Sequence, residues 1–223
     1  MNIDEMRRTV AERAAALVEP GMQVGLGTGR TAALVVDAIA RKKMKLVAVA
    51  TSEATAQQAR AGGIRLVALD EVRALDLCID GADEFDPHLD LIKGLGGALL
   101  REKLVAQAAQ RFVVIVDEEK RVRQLGEKAP LPVEVVPFGW THTRERLRYL
   151  GLDPVLRERA GNPVLTDGGN YVLDCRAQVP IASLADAIKR TTGVVEHGLF
   201  LRMAHTVLVG TPSGLEELHR PRT

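Results

Sequence analysis

The sequence has only two cysteines, Cys78 and Cys175, far apart and without a C-x-x-C spacing. This excludes a disulfide framework and a cysteine-built zinc site, and it reads as reduced thiols in a cytoplasmic protein. No apolar run approaches the roughly 18 residues that would suggest a membrane span. The start, "MNIDEMRRTVAERAAALVEPG", is amphipathic and carries Asp4, Glu5 and Glu12, unlike the charged-then-apolar order of a secretory signal. Neither sign of charge dominates, since 30 Lys and Arg against 29 Asp and Glu leave a formal net charge of +1. No overall basic field points to nucleic acid or a membrane surface, so any attraction for phosphate must be local. Internal repeats, low-complexity segments and long linkers are also missing. What remains is a soluble globular chain of 223 residues, enough for one large domain or two modest ones, of which two is the preferred reading.

Met6, Val10, Ala14 and Leu17 recur at helical spacing, and Pro20 and Gly21 stop that helix before the apolar run "MQVGLG". Strands and helices then alternate. "KLVAVA", "IRLVAL", "ALDLCID", "DLIKG" and "RFVVIVD" are short and apolar throughout, as suits strands buried on both faces of a mainly parallel sheet. "TAALVVDAIARK", "EATAQQARAG" and "ALLREKLVAQAAQ" supply the intervening helices. The fold class expected is α/β, a mainly parallel doubly wound sheet. After about residue 126 the rhythm changes to "PVEVVP", "THTRERLRYLG", "PVLR", "NYVLDCR", "SLADAIKRTTG" and "VVEHGLF". That order is β-α-β-β-α-β, the split unit of a ferredoxin-like α+β module. A last apolar run, "HTVLVGT", can return to the first sheet. The expected organisation is therefore a first domain of residues 1–126 plus 201–223, with a smaller domain, residues 127–200, inserted in it.

Four stretches carry residues suited to chemistry. In "VGLGTGRTAA" a strand runs through Gly25, Gly27 and Gly29 into a helix, so that backbone amides, Thr28 and Thr31 face a helix N-terminus that favours an anion. Arg30 adds a cation able to hold a phosphate by two parallel hydrogen bonds. The glycine spacing is not the dinucleotide fingerprint, and the ending of a P-loop is absent. A tight turn without ligand remains the alternative. "TSEAT" suits a helix cap first, and, as a loop at the carboxyl end of a strand, a ligand-lining position second. "DGADEFD" gathers Asp80, Asp83, Glu84 and Asp86, a set that reads as a hard-metal site, as a grip on sugar hydroxyls, or as a solvated loop; hydroxyl recognition and proton handling fit best. "LIKGLGGALLREK" places Lys93 beside a glycine turn whose consecutive N–H groups form an anion-binding nest. Glu102 follows about one turn into a helix expected over Ala98–Gln110. A carboxylate base together with donors for a developing enediolate oxygen is what removal of a proton next to a carbonyl requires. Glu102 as a mere complement to the helix dipole is the rival reading. Arg101 lies nearer the middle of that helix's apolar stripe, which leaves the aim of Glu102 open.

Read together, "GLGTGRTA", "TSEAT", "DGADEFD" and "KGLGGALLREK", with the later "LPVEVVPFGW", "GNYVLDC" and "GVVEHGLF", closely resemble the type A ribose-5-phosphate isomerase family across nearly the whole chain. The resemblance implies interconversion of ribose 5-phosphate and ribulose 5-phosphate in the pentose phosphate pathway, with no metal, nucleotide or other cofactor. It implies a phosphorylated pentose as the small-molecule partner, no nucleic acid or membrane partner, and a homodimer or homotetramer. By position Glu102 matches the proton-transfer base. Asp80, Asp83 and Lys93 match the polar set at the substrate, Lys120 a further substrate-contacting lysine, and Thr28, Gly29, Arg30 and Thr31 the phosphate loop. Gly81 and Ala82, with Gly94, Leu95 and Gly96, complete the substrate-binding set. Arg30 departs from the family, which commonly carries serine there. Three rivals make different predictions: an amino-sugar phosphate deaminase would release ammonia, a sugar-phosphate sensor would need a DNA-binding unit, and a nicotinamide oxidoreductase would change cofactor absorbance.

Overall fold

A computed structural model of the chain describes residues 1–177 and 179–220. Residue 178 of the expected inserted domain and residues 221–223 of the first therefore lie outside the described residues. The chain forms two compact units, one of residues 1–82, 101–121 and from 202 onward, the other of residues 83–100 and 122–201. Residues 83–100, which the strand–helix rhythm assigns to the first domain, belong to the second unit.

The first unit is built on a seven-stranded sheet. Its strands lie in the order Gly214–His219, Thr206–Thr211, Phe112–Asp117, Leu77–Gly81, Gln23–Leu26, Val47–Ala50 and Arg65–Leu66. All neighbours pair in parallel except the outermost hairpin, Thr206–Thr211 with Gly214–His219. "HTVLVGT" does return to this sheet, with Thr206 opposite Val113 and Gly210 opposite Asp117. Every residue of Phe112–Asp117 is buried, as expected of an apolar β-branched run in the middle of a parallel sheet.

Alternate side chains serve opposite faces. Val24, Leu26, Leu77, Ile79, Val113, Ile115 and Leu208 join one apolar cluster with Val10 and Ala14 of helix α1 (Ile3–Ala15) and Val35, Val36 and Ile39 of α2 (Arg30–Lys42). Each such aliphatic side chain contributes roughly 1.5–3 kcal/mol by leaving water. Helix α1 starts with a reciprocal cap in which Asn2 Oδ1 accepts the Glu5 N–H and the Glu5 carboxylate accepts the Asn2 N–H. Helix α3 (Glu53–Ala61) packs beside α2. On the other face, helix α4 (Leu99–Ala108) presses Val105 onto Gly25, where an added Cβ would lie 2.5 Å from Val105 Cγ1 and 3.1 Å from Cys78 Sγ.

One strand expected in the parallel sheet is elsewhere. Leu91–Ile92, from "DLIKG", pairs antiparallel with Glu84–Phe85 and with Leu199–Phe200 in a three-stranded sheet of the second unit. Chain length decides this: a parallel crossover takes about a dozen residues, and a hairpin needs far fewer. Asp86 makes the reversal, its Oδ1 accepting the N–H groups of His88 and Asp90, both at 2.9 Å.

The second unit also holds a four-stranded antiparallel sheet in the order Val194–His197, Leu131–Val135, Tyr171–Ala177, Leu152–Leu156. By chain order this is 4-1-3-2, with α5 (Trp140–Tyr149) and the short α6 (Ala185–Lys189) as the two crossovers, as the split β-α-β pattern predicts. Leu131, Val133, Val135, Leu147, Leu152, Leu173, Ile181 and Ile188 form its core. "VVEHGLF" is divided between the two sheets at Gly198, where a Cβ would come within 2.1 Å of the Lys93 carbonyl oxygen. Among the described residues no helix is long and apolar enough to cross a membrane.

Candidate active site

In the first unit the strand order reverses between Gln23–Leu26 and Leu77–Gly81. Loops at the carboxyl ends of strands on either side of such a reversal border a crevice. Gly27, Thr28 and Gly29 leave one of these strands, and Asp80 is the last residue but one of the other. Gly29 has φ +112°, a region that L side chains rarely adopt, and a Cβ on Gly27 would fall 2.1 Å from Asp80 Oδ1. Asp80 is fully buried, and its Oδ1 accepts the N–H of Thr28 at 3.0 Å and of Gly81 at 2.7 Å. Such charge-assisted bonds are roughly twice as strong as neutral ones, so a carboxylate from the neighbouring strand fixes the loop.

The hydroxyl of Thr28 meets Thr51 and Ser52, both at 2.8 Å, and Thr55 at 3.1 Å. Thr55 also donates to the Gly27 carbonyl at 3.0 Å, while Ser52 caps α3 by accepting the Thr55 N–H at 3.1 Å. The capping reading of "TSEAT" holds, and the cap residues also support the glycine loop. Helix α2 has no side chain capping its start, so its first amides and the positive end of its dipole stay available to an anion. Gly29 and Arg30 are exposed there and Thr31 is half-buried. Lys120 is half-buried at the end of the 3₁₀ turn Glu118–Lys120 that follows strand Phe112–Asp117.

Glu102 is only 4% exposed. The buried side of α4 is Leu99, Glu102, Lys103, Val105 and Ala106, while Leu104 is 46% exposed. The helix is thus turned from the orientation its apolar stripe suggests. Arg101, expected near the middle of that stripe, is half-exposed and pairs with Glu53 of α3 at 2.9 Å. Two charged side chains inside and a leucine outside is the reverse of what burial alone favours, and it marks α4 as a helix whose inward face is selected for polar work.

In the second unit Lys93 is 2% exposed, with Nζ 5.4 Å from the centre of the Phe200 ring. Its N–H donates to the Gly198 carbonyl at 2.9 Å. The turn that follows has Gly94 at φ +106° and Gly97 at φ +84°, closed by the Gly97 N–H on the Gly94 carbonyl at 2.9 Å. Leu95 and Gly96 are exposed at its tip. Half-buried Asp83 accepts the Leu95 N–H on Oδ2 at 2.9 Å, and Ala82 precedes it, also half-buried. The sequence pattern does not single out Arg157. Its Nη1 donates to the carbonyls of Gly94 at 3.0 Å and Leu95 at 2.9 Å, and its guanidinium forks onto Asp174. No local signal marks it, since it ends one strand run and bonds to a residue far along the chain.

The acidic loop divides by function. Glu84, fully buried, accepts the N–H groups of Gly126, Lys128 and Ala129 at 2.5–2.6 Å, and Asp86 serves its own turn. Among the described residues no three His, Cys, Asp or Glu side chains cluster so as to hold a metal ion.

The family pattern of ribose 5-phosphate isomerase A (phosphoriboisomerase A) matches residues 47–214. The chain belongs to this family. Ribose-5-phosphate isomerase A of Gloeobacter violaceus is 53% identical over 225 residues, covering 98% of this chain and 97% of the relative. The ribose 5-phosphate isomerase A structure from Methanocaldococcus jannaschii superposes with a TM-score of 0.92 at 39% identity, over 97% of this chain and 99% of that one. A D-ribose-5-phosphate isomerase solved in complex with phospho-erythronic acid gives 0.93 at 37% identity, over 99% and 100%. The ribose 5-phosphate isomerase A match takes in "TSEAT", "DGADEFD" and "KGLGGALLREK", whereas "GLGTGRTA" lies ahead of it.

Proposed function

We propose that this chain interconverts ribose 5-phosphate and ribulose 5-phosphate by moving one proton between C2 and C1 through an enediolate. The observation that carries the reading is near-complete coverage by relatives of that name at about half identity, joined to a glutamate held almost fully buried on α4. Phospho-erythronic acid, the ligand of one solved relative, is a phosphorylated four-carbon acid. Its carboxylate spreads charge over two oxygens much as an enediolate does.

Once the sugar ring opens, Glu102 removes the C2 proton and delivers it to C1. The electron pair of the broken C2–H bond forms C1=C2 while the C1 carbonyl pair moves onto O1, which takes a proton. Loss of the O2 proton then makes the C2 carbonyl, and the C1=C2 pair becomes the new C1–H bond. One hydrogen thus passes from C2 to C1 and one from O2 to O1, and the reaction balances within the substrate. Lys93 and the amides of the Gly94–Gly96 turn stabilise charge on oxygen, an effect worth about 3 kcal/mol per donor where donors are fixed in advance. Thr28, Gly29, Arg30 and Thr31 take the phosphate, whose binding energy orients the reacting carbons. Asp80, with Gly81 and Ala82 beside it, and Asp83 hold substrate hydroxyls and pass the ring-opening proton; Lys120 adds a further contact. The setting is cytoplasmic and the assembly a homodimer or homotetramer, without nucleic acid or membrane. Sedimentation at micromolar concentration tests that assembly, and a monomer contradicts it.

Glu102→Gln tests the chemistry. The variant is expected to fold and to bind the phosphate sugar, but to lose both isomerisation and exchange of the C2 hydrogen with heavy water. Retained turnover would put the base elsewhere. Ammonia release from an amino-sugar phosphate would favour the deaminase.

A further inference from the structure

A turn with glycines at φ +106° and +84° and an exposed tip is intrinsically soft, because glycine retains the widest range of backbone states. Yet this turn is gripped from two sides. The Arg157 Nη1 reaches two consecutive carbonyls, Gly94 at 3.0 Å and Leu95 at 2.9 Å, and Asp83 Oδ2 takes the Leu95 N–H at 2.9 Å. The guanidinium is itself fixed, with Nε on Asp174 Oδ2 at 2.9 Å and Nη2 on Oδ1. Both partners grow from rigid backbone. The Arg157 N–H bonds the Val172 carbonyl at 2.9 Å, continuing the ladder in which Asp174 lies opposite Val155.

The consequence follows from peptide geometry. Among the described residues no peptide is cis, and in a trans peptide the C=O and N–H point in opposite directions. Holding the carbonyls of Gly94 and Leu95 toward Arg157 therefore turns the N–H groups of Leu95 and Gly96 away from it. The first meets Asp83, and the second is the next donor in line. A cation on a carbonyl also polarises its peptide, which makes the N–H of that same unit a stronger donor. We infer that Arg157, braced by Asp174, is a positioning residue that aims and strengthens the Gly96 amide of the glycine turn for an anionic oxygen of the substrate, the Leu95 amide being held by Asp83. This rests on the isomerase reading for the identity of that oxygen, while the clasp itself does not. Lysine cannot replace it, since one ammonium lacks the planar fork that engages a carboxylate and two carbonyls together.

The test compares Arg157→Ala and Arg157→Lys with the parent chain. Steady-state isomerisation of ribose 5-phosphate, thermal melting, and amide hydrogen exchange across residues 91–103 are the readouts. The expected result for Arg157→Ala is a folded protein with kcat lower by about 10- to 100-fold, the scale of a small misplacement of reacting groups. KM should hold within about threefold and exchange at residues 95–97 should accelerate. Arg157→Lys should recover less than a tenth of the loss, and millimolar guanidinium added to Arg157→Ala should recover part of it. Native kcat in folded Arg157→Ala would overturn the inference, as would unchanged exchange in the turn. Should the alanine variant not fold, the lysine variant decides by the same readouts. A parent chain without isomerase activity would instead refute the proposed function, and the exchange measurement would still report whether the clasp holds the turn.

Discussion

The carboxylate of Asp80 accepts the backbone N–H of Thr28 at 3.0 Å from the space a side chain at position 27 would need. Strand, loop and acid are therefore one unit of construction. Asp80→Asn keeps the shape but can turn an N–H toward two N–H donors. We predict a cost of about 1–3 kcal/mol in urea unfolding and a clear loss of affinity for inorganic phosphate, measured by calorimetry. Gly27→Ala should be worse, since its Cβ meets a buried carboxylate at 2.1 Å.

Glu84 gives the opposite prediction. Although it belongs to the same acidic stretch, its oxygens are filled by the N–H groups of Gly126, Lys128 and Ala129. Glu84→Gln removes the charge from bonds that need it, so stability should fall by on the order of 3 kcal/mol. KM and kcat per folded molecule should stay at parental values. A selective loss of kcat with unchanged melting would move Glu84 into the chemistry.

How much could be read in the sequence differs between these two residues. Gly27 and Gly29 announced a constrained loop, and the apolar β-branched runs announced the parallel strands that carry it. The β-α-β-β-α-β order of the second module was legible because each of its elements has its own period. Nothing local distinguishes Asp80, Asp83, Glu84 and Asp86, which lie within seven residues yet bind partners 52, 12, 42 and 2 positions away. The orientation of α4 was hidden for the same reason. Its leucines suggested one face, but the long-range environment decides that Glu102 is buried and Leu104 exposed. The fork from Arg157 to Asp174 spans 17 residues and two strands, beyond what periodicity reports.

Lys93 is buried with its ammonium 5.4 Å from the Phe200 ring centre. Lys93→Met keeps the stem and removes the charge. We predict a fall in kcat of about 10²–10³, the usual cost of one lost donor to a developing oxyanion, with C2 hydrogen exchange reduced in parallel. Phe200→Leu leaves the ammonium but weakens the face it rests on, so a loss of tenfold or less is expected. If the two variants lost equal activity, the ring would matter more than the charge.

The last prediction concerns pH. Burial holds the Cys175 thiol well above its ordinary value of 9.0, and the neighbouring Asp174 and Asp153 charges push the same way. In the folded protein the thiol therefore keeps its proton where the unfolded chain releases it. Above about pH 9 the unfolded state binds fewer protons than the folded one, so stability must fall as pH rises. Below that value the thiol contributes no slope. Two measurements follow. Urea midpoints at pH 8, 9 and 10 should decline over the upper interval, and Cys175→Ala should flatten that decline while lowering all three midpoints by the cavity it leaves. Iodoacetamide at pH 8 should spare Cys175 until denaturant is added, since the nucleophile is the thiolate and the thiol is buried. Rapid alkylation of Cys175 in the native protein would mean that the core of the second unit opens readily, and the stability argument would then fail with it.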